Sequence, residues 1–244
     1  MRTSSSVSLS RHLAPERYTA VAVALHWLIA VFILNNLAAG YFMESFPGRW
    51  RGLAVAIHVS SGISVLVFSV LRVMWRVINP PPDFVGSIKP WERHSAHFVH
   101  LLLYIAMLFM PLIGWSIISA HPPVGSPGAA HERVLRAHLA SLGRPVPPSI
   151  LPQSTTYIWW TIPLPLLRPV QDIGATDGGV VPQVRLHDEL VRWHSVGAEL
   201  LIFLLALHVL GVLKHQVIGR EPQFRRMTFR GGGGSARRVK ASVP

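Results

Sequence analysis

The chain has 244 residues, half of them hydrophobic and only 14% charged, with a mean hydropathy of +0.38. A soluble globular domain carries about 25% charged residues, so this is the composition of a membrane protein. A net charge of +12 raises nucleic-acid binding, but the basic residues flank apolar segments and form no continuous face; the absence of cysteine excludes disulfides, thiolate zinc sites, iron–sulfur clusters and haem attached through C-x-x-C-H.

Residues 1–18 form a polar, basic arm without the apolar core and cleavage site of a signal peptide. Four segments then reach the roughly 20 apolar residues that span a bilayer. They run over about 19–43, 52–78, 96–118 and 189–213. The run NPPPDF at 79–84 ends the second, because proline cannot continue a helical hydrogen-bond ladder. Asn35 and Asn36 in the first predict hydrogen bonds between helices. Between the third and fourth lies a loop over about 119–188, rich in Pro and Gly and without clear periodicity. Its STTYIWWTIPLPLL stretch reads as interfacial, with Trp159 and Trp160 suited to a headgroup boundary. The chain closes on a basic tail over 219–244 whose GGGGS at 231–235 is a flexible linker by composition. The expected architecture is an all-α bundle of four transmembrane helices over 19–218, with one long outer loop.

Arg2, Arg11 and Arg17 precede the first segment. Arg72, Arg76, Lys89 and Arg93 flank the second connection, and Lys214, Arg220, Arg225 and Arg226 follow the fourth segment. The first connection holds only Arg49 and Arg51. The positive-inside rule therefore places both termini in the cytoplasm.

His194 and His208 stand fourteen residues apart on the fourth segment. That step is close to four helical turns, so both rings leave one face, roughly 21 Å apart along the axis. His26 lies toward the cytoplasmic side of the first segment and His58 toward the outer side of the second. Depth pairs His26 with His208 and His58 with His194. Two imidazoles from different helices across one iron make a b-type haem site, and bundle cores are where such sites are built. The four histidines thus predict two haems b, the inner iron held by His26 and His208, the outer by His58 and His194. Ser60, Ser61 and Gly62 after His58, Ser195 and Gly197 after His194, and Gly211 after His208 leave room for a porphyrin, although small residues also permit close helix contact. A single membrane histidine is more often a hydrogen-bonded bundle residue; four matched pairwise in depth favour ligation. His94, His97 and His100 share one face of the third segment. His97 and His100 are expected to pack against a cofactor or bond a propionate, and Arg72 and Arg76 to meet propionates or mark the membrane boundary. His121, His131, His138 and His187 carry no assigned role.

The motifs ALHW at 24–27, IHVSSGIS at 57–64, LRVMWR followed by PPP, AHFVHLLLY at 96–104, MPLIGW at 110–115, RWHSVGAEL at 192–200 and ALHVLGVLKH at 206–215 resemble the bacterial cytochrome b561 family of di-haem inner-membrane proteins. The resemblance covers all four segments in order; the outer loop is longer than the family's usual one. It implies two non-covalent haems b on His26, His58, His194 and His208. It also implies electron transfer involving the quinone pool and, in part of the family, superoxide oxidation coupled to ubiquinone reduction. It extends through Lys89 and His215, which makes them candidate quinone-site residues; their plainer reading is interfacial anchoring. The expected partners are membrane lipid, quinone, and superoxide or a periplasmic redox protein, with no nucleic acid. The competing functions are a haem-bearing anchor and electron conduit of a larger dehydrogenase or hydrogenase complex, and a haem-free transporter or metal-handling protein.

Overall fold

The computed structural model describes residues 17–82, 89–143, 156–217 and 224–228. The arm before residue 17 and the GGGGS tail lie outside the described residues. The chain is a four-helix transmembrane bundle. Among the described residues four helices are long and apolar enough to cross a membrane. Helix α1 is Ala20–Phe42, α2 is Arg49–Ile78, α3 is Pro90–Ser119 and α6 is Val180–Val217. The Thr19 hydroxyl caps α1 by accepting from the Ala22 amide at 3.2 Å, and Pro90 opens α3 where its missing N–H costs nothing. Helix α2 stops one residue before the proline run, as its sequence dictates.

The bundle is built as two helix pairs, α1 against α2 and α3 against α6, joined where α2 meets α3. Neither α1 nor α2 packs closely against α6. Ile29, Ile33, Val65, Leu103, Met107, Leu201 and Leu204 form one buried cluster at mid-height. Val31, Leu34, Phe98, Phe109, Phe203 and Leu210 remain exposed on the outside, the pattern expected where lipid is the solvent. Asn36 bonds between helices as expected: its side-chain oxygen accepts from the Ser61 hydroxyl at 3.1 Å.

The third and fourth apolar segments are the middles of longer helices, and the connection between them is more ordered than its composition indicates. Helix α4 (Pro127–Ser141) and the short helix α5 (Arg168–Gln171) lie within it, with a two-stranded ribbon of β1 (Tyr157–Ile158) and β2 (Ile162–Pro163) between them. Ser126 caps α4 on the Ala129 amide. The buried Gln183 side chain donates to the carbonyls of Val170 and Gln171, which ties α5 to the start of α6. Gly128 sits so close to the 174–176 backbone that a Cβ there would meet the Gly174 carbonyl, which fixes α4 over the bundle end. Trp159 departs from the interfacial expectation. Its amide donates to the Ser60 hydroxyl at 2.9 Å and its indole N–H to the Ser64 hydroxyl at 3.0 Å, and its ring faces Phe32. Trp160 beside it stays exposed.

Candidate functional site

The gap between the α1–α2 pair and α6 is bridged by histidines at two heights. At the end bearing α4, the loop end, His58 of α2 faces His194 of α6 with ring centres 6.0 Å apart. At the end bearing the termini, His26 of α1 faces His208 of α6 at 6.2 Å. Two imidazoles on opposite sides of one metal ion have ring centres about 6.2 Å apart, from two metal–nitrogen bonds of about 2 Å and about 1.1 Å within each ring. Both pairs have that spacing. The sequence-predicted histidines are thus brought together in the predicted pairs.

The loop-end site is the better defined. His58 Nδ1 lies 3.0 Å from the Asn36 carbonyl, so Nδ1–H donates there and the lone pair of Nε2 is left for a metal. Ser61, also bonded to Asn36, locks the same turn of α2 against α1. His194 Nδ1 is buried and without a hydrogen bond; the Met110 carbonyl faces its ring outside bonding geometry. A cavity of about 970 Å³ opens between the two rings and runs outward beneath α4. That is large enough for a cofactor of haem size. Gly40 and Gly114 seat the imidazoles: a Cβ at Gly40 would stand 3.0 Å from His58 Cε1, and one at Gly114 3.3 Å from His194 Cε1. Sequence reasoning missed both, because they lie on α1 and α3 and their partners are fixed only by packing. Two of the three glycines it chose act differently. A Cβ on Gly62 would press on Asn36 and one on Gly197 on Met110, so these two serve helix packing, and Gly211 faces open space.

At the termini end His208 has a second neighbour, His100, with ring centres 5.0 Å apart. His100 Nδ1 bonds the Ala96 carbonyl at 2.7 Å. Arg72 reaches in from α2, donating to the Ala22 carbonyl at 2.7 Å and the Tyr104 hydroxyl at 3.2 Å. Arg76 bonds the same hydroxyl and lies over the Tyr104 ring. At the boundary Lys214 pairs with Glu92 at 2.8 Å, and Lys89 and His215 both lie near that carboxylate. The two candidate quinone residues therefore share one cluster, although they are 126 positions apart (215 minus 89).

Two histidines given no role by the sequence reading occupy the outer reach of the loop-end cavity. His121 and His187 have ring centres 5.8 Å apart, and each has a buried Nε2 without a partner. Burial, then the neighbouring His187, pushes the His121 imidazole below its ordinary value; Glu132 opposes this and Arg136 adds to it.

The sequence pattern of the prokaryotic cytochrome b561 family matches residues 17–230. Over 108 residues the chain is 37% identical to cytochrome b561 homolog 2 of Escherichia coli, covering 43% of this chain and 57% of that protein. It is 24% identical over 103 residues to the probable superoxide oxidase CybB of Yersinia pestis, 42% of this chain and 58% of the relative. A third relative, cytochrome b562 of Cereibacter sphaeroides, is 29% identical over 131 residues, 51% of this chain and 78% of that one. The chain thus spans somewhat under three-fifths of the length of the first two relatives.

Proposed function

Because this chain belongs to the prokaryotic cytochrome b561 family, a family of membrane haem proteins that transfer electrons, we propose that it carries two haems b and passes electrons between a donor on one membrane face and ubiquinone. The observation that carries the reading is the pair of histidine couples, 6.0 and 6.2 Å between ring centres, on a shared α6. His58 and His194 hold the loop-end iron, and His26 and His208 the termini-end iron. The fourteen-residue step from His194 to His208 sets the two histidine couples about 21 Å apart along α6. In this reading both termini lie in the cytoplasm, the side that the distribution of arginine and lysine supports.

Bound haem supplies reversible one-electron chemistry, and axial ligation and surroundings set its potential. The chain's own residues do the rest. Asn36 fixes the His58 ring in the tautomer that leaves Nε2 free. The apolar cluster of Ile33, Val65 and Leu201 keeps water out between the two sites. Arg72 places a fixed positive charge at the termini-end site, which favours an electron residing there. Quinone reduction takes up two protons with two electrons. His215 is the titratable group positioned to hold one beside the headgroup, with Lys89, Lys214 and Glu92 forming its polar surround. Superoxide is the donor we favour, because one relative is named for that oxidation and because single-electron donation suits a one-electron carrier.

Purified holoprotein tests this alone. Quinone reduction driven by enzymatically generated superoxide, first order in the cytochrome, is expected. Co-purification of a soluble redox subunit with no turnover in its absence would instead make the chain an electron conduit of a larger complex.

A further inference from the structure

We propose that His121 and His187 form the propionate clamp of the loop-end haem, tying α4 and its flanking loop to the cofactor. The inference rests on the reading above, that a haem lies between His58 and His194.

A haem is apolar except for its two propionates, and carboxylates inside a bundle must be paired. From His58 and His194 the cavity is closed toward mid-height by Ile33, Val65 and Leu201, which offer no donor. Outward it leads to His121, Arg136 and His187. His187 precedes His194 by seven residues on α6, a displacement of about 10.5 Å along the axis and only about 20° around it. The His187 ring therefore stands above the axial ligand on the same face, at about the reach from iron to a propionate carboxylate.

Three arginines line this cavity, and each already has a carboxylate partner: Arg51 with Glu44, Arg136 with Glu132 and Arg192 with Glu189. Among the described residues, the buried side-chain nitrogens of this cavity without a partner are His194 Nδ1, beside the proposed ligand atom, and, farther out, His121 Nε2 and His187 Nε2. His187 Nδ1 faces Asp188 Oδ1 at 3.2 Å, so its ring is set to join one carboxylate to another. His121 comes from the segment leading into α4, and Arg136 lies on α4 itself. A propionate accepting from both Nε2–H groups satisfies two otherwise orphaned buried nitrogens; the His187 ring then carries a second proton, donated from Nδ1 to Asp188, and that imidazolium is the charge set against the anion. A bound metal would use the same two nitrogens. Among the described residues, however, no group of three His, Asp or Glu completes such a site.

The test uses the purified full chain with its native haems. The loop-end haem is identified as the one lost in His58→Ala. The double variant His121→Leu/His187→Leu is compared with His121→Gln/His187→Gln, which keeps side-chain N–H donors. Haem transfer to apomyoglobin and the propionate bending band in resonance Raman are the readouts. The clamp predicts at least tenfold faster release of the loop-end haem from the leucine variant, about the loss expected for a single charge-assisted hydrogen bond. It predicts a shifted propionate band, partial recovery in the glutamine variant, and a termini-end haem unchanged in both, which reports that the bundle is folded. Unchanged release and an unchanged band would overturn the clamp. So would one equivalent of zinc or copper held by the two-haem wild type and lost from the leucine variant. A wild type with no haem to lose on His58→Ala overturns both the clamp and the reading beneath it, and the haem count separates that result from the clamp's own failure.

Discussion

Gly40→Ala separates a haem slot from an ordinary helix crossing. The new Cβ would stand 3.0 Å from His58 Cε1 and 3.2 Å from Nδ1, closer than side chains normally pack. Gly40 lies in the last turn of α1, so replacing it by alanine favours the helix by at most about 0.5–1 kcal/mol. Overpacking against a buried ring costs about 1–3 kcal/mol. If the ring moves, the 3.0 Å bond from Nδ1–H to the Asn36 carbonyl weakens, at a cost of about 1 kcal/mol. The helix gain is present with or without cofactor, whereas the ring displacement is felt most by an iron that needs Nε2 in place. The net effect is a loop-end haem bound about tenfold more weakly, roughly 1.4 kcal/mol, with the termini-end haem untouched. Equilibration of apoprotein with limiting haem, followed by the haem-to-protein ratio and the reduced spectrum, measures this. The termini-end haem of the same variant is the internal control. A loop-end haem affinity equal to that of wild type would refute the assignment of Gly40 as a seat for an axial ligand.

Three further outcomes follow from the same geometry. Arg72→Gln removes the cation beside His26, His100 and His208, so the termini-end haem becomes harder to reduce and its midpoint falls in a redox titration, while the loop-end midpoint stays put. His215→Ala slows quinone reduction about a hundredfold or more, the range of a lost acid–base group, and Lys89→Ala slows it less, both with an unchanged haem ratio; wild-type rates in both would remove these residues from the quinone site. His121 is buried with its imidazole held below the ordinary value of 6.5. An opened loop binds more protons than the closed one below about pH 6.5, so the stability from burying His121 is present above that pH and lost as pH falls through it. Once exchange is corrected for the base-catalysed intrinsic rate, the protection factors of α4 amides in the apoprotein should therefore be lower at pH 5.5 than at pH 7.5, and His121→Phe should flatten the difference.

The bundle and its histidine pairs were legible because they follow from helix periodicity. A fourteen-residue step returns to the same face, and loop charge fixes which ends coincide. The seats of the imidazoles were not. Gly40 touches His58 and Gly114 touches His194 through packing between separate helices, a relation that no local pattern encodes. The connection over about 119–188 was read as irregular because its prolines and glycines mask the capped helix at Pro127–Ser141. Trp159 looked interfacial by type, yet the hydroxyls of Ser60 and Ser64 satisfy its two N–H groups against the bundle. His121 and His187 gave no signal alone. Their meaning comes from a shared cavity that forms only when α6 begins nine residues before its apolar core, at Val180 instead of 189.

The central claim is two independent bis-histidine haems on one shared helix. An anaerobic redox titration of the purified chain, with the haem-to-protein ratio measured on the same sample, tests it most directly in wild type, His58→Ala and His208→Ala. The account predicts two haems and two one-electron waves in wild type, with each variant keeping one haem and losing a different wave. A wild type with one haem or none, or a folded variant in which either substitution removes both, would contradict it.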